Sequence, residues 1–137
     1  MSDHILIVDD EKGILSALSG VLEDEGYTIA TAESGGEALK KIEKDTPSVV
    51  LLDIWLPDID GLEVLKEIRN TRKGVIVIIM SGHGTIETAV RATKLGAYDY
   101  IEKPLSMERV TLLIRHAIQQ QRLELENVQL RRKFEKW

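Results

Sequence analysis

The sequence contains no cysteine among its 137 residues. Disulfide frameworks, cysteine-ligated zinc sites and thiol nucleophiles are therefore excluded. The start also lacks a basic segment followed by an apolar one, and no apolar run approaches the roughly 20 residues that span a bilayer. We therefore expect a protein that is neither exported nor inserted in a membrane, with the cytoplasm as its location.

Positive charge is scarce over most of the chain. Residues 1–118 carry 13 Lys and Arg against 20 Asp and Glu, whereas residues 119–137 carry 5 against 3. Nucleic-acid phosphates are bound by basic surfaces, so we expect no direct nucleic-acid contact from this chain. The apolar content of 43 % and the charged content of 30 % are typical of a globular domain.

Five short apolar runs alternate with segments of helical period, which predicts βα units around a parallel sheet. The strands are predicted at residues 4–8, 27–31, 48–52, 75–80 and 98–101. The first, third and fourth runs are apolar almost throughout, so these strands are expected to be buried on both faces. The second run alternates between apolar and polar residues, which is typical of an edge strand.

Apolar positions at helical spacing mark the segments between the strands. The first four stripes fall at residues 14–22, 38–42, 62–68 and 86–93. Gly26 and Gly96 follow two of these stripes and are expected to end their helices. Ser106 is a good N-cap for the last helix, although Arg109 stands where a complete capping box has glutamate.

The last helical segment continues well past residue 118. Two lines of mainly apolar residues run along it at steps of three and four, the rhythm of a coiled coil. One line is Ile114, Ile118, Gln121, Leu125 and Val128, and the other is Leu123, Asn127, Leu130, Phe134 and Trp137. A helix that dimerises or joins another domain, a helix folded back on the body, and a frayed tail remain open. Because the sequence stops within this pattern, we expect a fragment of a longer protein.

Polar side chains follow the predicted strands at their carboxyl ends, where open parallel sheets collect their functional residues. They are Asp9, Asp10 and Glu11 after the first strand, Asp53 after the third, Ser81 after the fourth and Lys103 near the end of the fifth. Crowded carboxylates repel one another, and a hard cation bound through oxygen relieves the repulsion. The oxygen set is too small for Ca²⁺ and suits Mg²⁺. An aspartate nucleophile, a cation, an ammonium and a hydroxyl together indicate phosphoryl transfer.

Four motifs, in this order, carry a family resemblance. They are Val8-Asp9-Asp10-Glu11, Leu51-Leu52-Asp53-Ile54-Trp55-Leu56-Pro57 with Gly61, Ile79-Met80-Ser81-Gly82 and Tyr100-Ile101-Glu102-Lys103-Pro104. With them, residues 4–118 resemble the receiver domains of response regulators in two-component systems. The resemblance implies an α/β, flavodoxin-like (βα)5 fold. Its doubly wound parallel sheet would have the strand order 2-1-3-4-5, followed here by an extended C-terminal helix.

The resemblance also implies the chemistry of the acidic residues. Asp53 would accept a phosphoryl group from a sensor histidine kinase. Asp10, Asp53 and the backbone carbonyl of Trp55 would bind Mg²⁺ directly, whereas Asp9 would act mainly through water.

The other motif residues would respond to the phosphoryl group. Lys103 would pair first with Asp53 and then with a phosphoryl oxygen, and the Ser81 hydroxyl would bond to another oxygen. Tyr100 would be the switch residue whose side chain follows the movement of Ser81. Pro104 would follow a cis peptide bond, which prolines tolerate.

Within this family, Ser81-Gly82-His83-Gly84-Thr85 resembles the receivers of NtrC/NtrX-type activators of sigma-54-dependent transcription. Serine at 81 and tyrosine at 100 depart from the commonest pattern, which has threonine and phenylalanine. The resemblance implies a receiver domain at residues 1–118 and a helical linker at 119–137. The linker would begin a coiled coil in a homodimer and lead to AAA+ and DNA-binding domains absent from this sequence. His83 is expected to be an exposed loop residue.

Three other classes of protein are weighed against this interpretation. A stand-alone, chemotaxis-like receiver would share the site but end near residue 118. A haloacid-dehalogenase phosphatase also uses an aspartyl nucleophile, but it carries a second acid two residues on, where this chain has Trp55. A flavin-binding module would need a phosphate-cradling loop where three acids follow the first strand. We therefore expect a phosphoacceptor and not a turnover enzyme.

Overall fold

Five β-strands alternate with five α-helices in the computed structural model, which describes residues 3–82 and 84–135, with side chains up to residue 133. The elements are β1 (His4–Val8), α1 (Lys12–Asp24), β2 (Thr28–Ala32), α2 (Gly35–Lys44), β3 (Val49–Asp53), α3 (Gly61–Thr71), β4 (Ile76–Ser81), α4 (Ile86–Lys94), β5 (Asp99–Glu102) and α5 (Met107–Glu135). His83 and Trp137, both considered above, lie outside the described residues, as does the side chain of Phe134.

The strands form one parallel sheet in the order β2-β1-β3-β4-β5. This confirms the predicted topology and the edge position of β2. The last four strands begin and end one residue later than predicted. The reason is that backbone pairing continues into residues whose polarity suggested a loop: Asp53 pairs with Met80, and Ser81 pairs with Glu102.

Two apolar layers cover the sheet. Helices α2, α3 and α4 pack on one face, and α1 and α5 pack on the other. The central strand β3 is buried along its whole length, as the apolar run at residues 49–52 predicts, and the burial extends to Asp53 at its end. The sheet is therefore the middle one of three layers, with both faces covered. In such folds, functional residues lie in the loops at the carboxyl edge of the sheet.

Polar side chains cap the helices that approach this sheet. Ser34, Asp60, Thr85 and Ser106 accept hydrogen bonds from backbone N–H groups in the first turns of α2, α3, α4 and α5. Gly26 and Gly96 have positive φ angles of 96° and 101° just after α1 and α4, which confirms both predicted helix ends.

The stripe at residues 86–93 marks α4 correctly, but it does not pack into the core. Ile86 is 85 % exposed and Val90 is also exposed, whereas Ala92 is the buried residue of this helix. In a nine-residue helix, apolar spacing locates the element without deciding which face the sheet will cover. Tertiary packing makes that choice.

Helix α5 runs without interruption from Met107 to Glu135. Its first half packs on the sheet through four buried residues, Val110, Ile114, Ala117 and Ile118. Side chains 122–133 are exposed, and beyond Arg122 the described part of the helix does not fold back on the body. Within residues 3–82 and 84–135, no helix is both long and apolar enough to cross a bilayer.

Candidate functional site

The site lies at the carboxyl edge of the sheet, where β1 and β3 stand side by side. From β1 the chain turns outward to β2, and from β3 it turns the other way to β4, so the strand order reverses at this point. Such a reversal opens a crevice between the loops. Asp9 follows β1, Asp53 ends β3, Ser81 ends β4 and Lys103 follows β5.

Three carboxylates converge in this crevice. One oxygen each of Asp9, Asp10 and Asp53 lies within 4.8 Å of the others, with Asp9 and Asp53 buried and Asp10 exposed. Oxygen ligands at this spacing suit Mg²⁺, which needs few protein ligands and completes its shell with water or phosphate. The backbone N–H of Trp55, whose side chain is exposed, donates to Asp53 Oδ1 at 3.3 Å. The oxygen atoms of the three carboxylates therefore fit Mg²⁺, the cation that the sequence predicts.

The ammonium group of Lys103 faces these carboxylates. Lys103 Nζ lies 2.8 Å from Asp9 Oδ2, 3.4 Å from Asp53 Oδ2 and 3.9 Å from Glu11 Oε1. The expected pairing of Lys103 with Asp53 is present, but the shorter ion pair is the one with Asp9. The backbone N–H of Lys103 donates to Ser81 O at 2.8 Å, and the peptide bond to Pro104 is cis, as expected.

Burial and charge act in opposite directions on the central pair. Burial, followed by the negative charge of Asp9, raises the pKa of Asp53, although Lys103 and the N–H of Trp55 partly offset the rise. Burial alone would lower the pKa of Lys103, but the carboxylates of Asp9 and Asp53 outweigh it, and the pKa is raised. The neighbouring carboxylates therefore favour the cationic form of Lys103, whereas burial and the charge of Asp9 disfavour the ionised form of Asp53.

Gly61 fixes the loop that follows Asp53. A Cβ at this position would lie 2.4 Å from Asp53 O and 2.5 Å from Ile54 Cα, distances that no side chain can occupy. The backbone N–H of Gly61 also donates to Ile54 O at 2.9 Å. The first turn of α3 therefore lies directly against the end of β3, which holds the Asp53 backbone in place.

Asp58 ties the same loop to another helix. Its two carboxylate oxygens accept the backbone N–H groups of Gly35 and Gly36 at 2.8 and 2.9 Å, at the start of α2. These donors lower the pKa of Asp58, with Gly36 the larger influence. No sequence pattern signalled this contact, because it joins residues more than 20 positions apart.

Tyr100 lies beside the site on the neighbouring strand. It pairs with Ile79, two residues before Ser81, and its ring packs against the core on the α3 side of the sheet. Its hydroxyl is buried and has no hydrogen-bond partner among the described residues. A Cβ on Gly84 would lie 1.3 Å from that hydroxyl, so Tyr100 occupies space that only glycine leaves open. The sequence singled out Tyr100 but gave no sign of the contact with Gly84.

Residues 5–115 match the model of the response regulator receiver domain, which includes every site residue described above. The chain belongs to the receiver domain family. This family is defined by a signalling domain and is not a catalytic enzyme family.

Curated receivers of longer regulators are similar to this chain. It is 46 % identical over 128 residues to the nitrogen assimilation regulatory protein NtrX of Azorhizobium caulinodans, covering 92 % of this chain and 28 % of that protein. It is 36 % identical over 117 residues to the transcriptional regulatory protein GlrR of Escherichia coli, covering 85 % of this chain and 26 % of that protein. The receiver thus spans just over a quarter of the length of these relatives.

Solved receiver structures superpose on the whole fold. NtrX of Brucella abortus gives a TM-score of 0.88 at 42 % identity, covering 95 % of this chain and 30 % of that one. The beryllofluoride-activated NtrC4 receiver domain dimer gives 0.83 at 45 % identity, covering 86 % and 98 %. A CheY-like receiver of Methanospirillum hungatei gives 0.88 at 35 % identity, covering 90 % and 99 %.

Proposed function

We propose that this receiver is a phosphorylation-dependent switch in which Asp53 accepts a phosphoryl group from a sensor histidine kinase. The observation that carries the proposal is the position of the Asp53 carboxylate. It lies 3.4 Å from the Lys103 ammonium and within the oxygen cluster of Asp9 and Asp10. Nucleophile, cation site and fixed ammonium are the parts that phosphoryl transfer requires.

Mg²⁺ is the cofactor that this oxygen set fits. Asp10 and Asp53 would hold it with the backbone carbonyl of Trp55, and Asp9 would contribute mainly through water. When bound, Mg²⁺ neutralises negative charge that would otherwise repel a phosphate dianion. Asp10 is the exposed member of the cluster, so the cation can enter from solvent.

The chain's own residues then position the transfer. A carboxylate oxygen of Asp53 attacks phosphorus, the P–N bond to the donor imidazole breaks, and its electron pair stays on the imidazole. Lys103 holds one phosphoryl oxygen, and the hydroxyl of Ser81 holds another. The result is an aspartyl phosphate formed once per chain, which makes the protein a phosphoacceptor and not a turnover enzyme.

The new group would change the surface through Ser81 and Tyr100. These residues lie on adjacent strands, and Tyr100 lines a cavity of about 450 Å³ between α4, β5 and α5. Moving a two-state equilibrium from mostly off to mostly on requires about 5.5 kcal/mol of differential stabilisation. One charge-assisted contact supplies less than that, so Mg²⁺ and dimerisation would contribute the rest.

The output is proposed to lie beyond this chain. Residues 1–118 would form the receiver, and residues 119–137 a helical linker that begins a coiled coil between two copies. NtrX and GlrR are named as regulators of nitrogen assimilation and transcription. We therefore propose AAA+ and DNA-binding domains of the sigma-54 activator type after the linker, with no nucleic-acid contact by the acidic receiver.

Intact mass spectrometry tests the phosphoacceptor. Incubation with acetyl phosphate and Mg²⁺ should add the mass of one phosphoryl group to the wild-type chain, and the Asp53→Asn variant should gain none. Asp24→Asn, which removes an exposed carboxylate at the end of α1, is the matched control and should be modified like the wild type. Equal modification of the Asp53→Asn variant, or no modification of the wild type, would refute the proposal.

A further inference from the structure

Helix α5 carries two apolar lines on opposite faces. The inner stripe is Ile114, Ile118, Gln121, Leu125 and Val128, and the outer stripe is Leu123, Asn127 and Leu130. At 100° per residue, the centres of the two stripes are separated by roughly half a turn. A second copy of this helix can pack against one of them, and the structure distinguishes the two.

The body of the same chain already covers the inner stripe as far as Gln121. Ile114 and Ile118 are buried against the sheet. The side-chain amide of Gln121 donates to Ser48 O at 3.1 Å and to Gly74 O at 2.6 Å, in the loops that precede β3 and β4. A partner helix therefore cannot reach these positions without breaking the attachment of α5 to its own domain.

An ion pair next to Gln121 adds to this attachment. Arg122 lies 2.7 Å from Asp3 Oδ2, just before β1. An exposed pair of this kind contributes at most about 1 kcal/mol to stability. Together with the two hydrogen bonds of Gln121, it fixes the direction in which α5 leaves the domain, with the inner stripe turned towards the sheet and the outer stripe turned away.

The outer stripe has the pattern of a two-stranded coiled coil. Leu123 and Leu130, which are 59 % and 52 % exposed, are seven residues apart and take the d position of a heptad. Asn127 then takes the a position, where a single asparagine favours a parallel pair in one register. The next a position in the sequence is Phe134.

The flanking charges also favour the outer stripe. In its register Glu126 is at g and Arg131 is at the following e, the two positions that face each other across a parallel pair. Two copies would therefore form two Glu126–Arg131 ion pairs. In the register of the inner stripe, the positions that follow Val128 in the seam are Arg132 and Glu135, which would bury charge between the helices.

We propose that a second copy of this chain packs in parallel along the outer stripe of α5, while Ile114, Ile118 and Gln121 of the inner stripe stay bound to their own domain. This inference rests on the proposed dimer and specifies its surface. The two receivers would then lie on the outside of the helix pair, and any movement of α5 against its own sheet would reach the partner through the seam.

Single cysteines test the surface directly, because the chain has no cysteine of its own. Leu123→Cys and Leu130→Cys on the outer stripe should form disulfide-linked dimers under mild oxidation, in the 137-residue chain with and without beryllofluoride and Mg²⁺. Leu125→Cys and Val128→Cys on the inner stripe should form few. All four positions are exposed, so unequal trapping reports the interface and not unequal access.

The outcomes separate the surface from the dimer. Disulfide trapping at the inner positions and not at the outer ones would refute the proposed surface but would still support a dimer. No trapping at any position, with a monomeric mass in sedimentation at high concentration, overturns the proposed dimer and the surface with it. Neither result bears on Asp53, which mass spectrometry tests independently.

Charge reversal gives a second readout that disulfide trapping does not bias. Glu126→Arg places like charges at g and e on both sides of the helix pair. It should weaken the dimer and raise its dissociation constant roughly tenfold in low salt. Arg131→Glu should have a similar effect, and the double reversal Glu126→Arg with Arg131→Glu should restore the wild-type constant. Failure of the double variant to recover would overturn the assigned register.

Discussion

Replacing Lys103 by methionine should destabilise the fold, because the ammonium group no longer compensates the repulsion between the carboxylates of Asp9 and Asp53. The side chain is only 14 % exposed, and its Nζ lies 2.8 Å from Asp9 and 3.4 Å from Asp53. At an effective dielectric of about 20, one such contact corresponds to about 5 kcal/mol of Coulomb energy. Part of this is recovered because the lysine no longer has to be desolvated.

The expected net loss is about 3 kcal/mol in the free energy of unfolding at pH 7 without Mg²⁺, the usual cost of removing one partner from a buried ion pair. Urea unfolding followed by circular dichroism measures it. Methionine keeps the length and most of the volume of the lysine stem, so the loss reports charge and not a cavity. Lys66→Met, on the exposed face of α3, is the matched control and should change stability by less than about 0.5 kcal/mol.

The loss should depend on pH with a defined sign. The pKa of Asp53 is already raised by burial and by Asp9, and removing Lys103 raises it further. A carboxyl with a raised folded-state pKa is most favourable to stability when protonated, so its contribution is lost as the pH rises above about 4 towards neutrality. The difference between the variant and the wild type should therefore shrink as the pH falls.

Mg²⁺ provides the complementary test. Because a divalent cation replaces the missing positive charge, Mg²⁺ should stabilise Lys103→Met more than it stabilises the wild type. A variant that matches the wild type at pH 7 without Mg²⁺, or a deficit that is the same at pH 5 and unaffected by Mg²⁺, would refute this account of the site.

Three further substitutions test the packing around the site. Gly61→Ala should cost about 2–4 kcal/mol in urea unfolding and slow phosphoryl uptake, because its Cβ would meet backbone atoms of Asp53 and Ile54. Gly84→Ala should fold normally but displace the hydroxyl end of Tyr100, seen as a shifted fluorotyrosine resonance. Asp58→Ala should lower the melting temperature at pH 7; because the pKa of Asp58 is depressed, this difference should disappear as the pH falls through that pKa.

Each of these predictions has its own control. Gly20→Ala, where no atom lies within 4 Å of the new Cβ, should be neutral or slightly stabilising. A Tyr100→Phe variant identifies the resonance, and an unchanged signal in Gly84→Ala would contradict the assigned contact. A melting difference for Asp58→Ala that persists at the lowest pH would mean that its charge does not carry the effect.

The sequence determined the fold because three of its predicted strands are apolar almost throughout. Such strands have to be buried on both faces, and a parallel sheet covered by helices on each side buries them in this way. The sequence also identified Asp9, Asp10, Asp53, Ser81 and Lys103 as site candidates, since residues at strand ends meet at one edge whatever the loops do. The ends of β2 to β5 were predicted one residue early, because backbone pairing extends into polar residues that composition assigns to turns.

Tertiary structure decided what depends on contacts between distant parts of the chain. The preference of Lys103 for Asp9, the capping of α2 by Asp58 and the space that Gly84 leaves for Tyr100 all join residues well separated in sequence. Likewise, the sequence offered two apolar lines on α5. Only the packing of the helix on its own sheet shows that the body covers the first line as far as Gln121. It leaves Leu123 and Leu130 of the second line exposed.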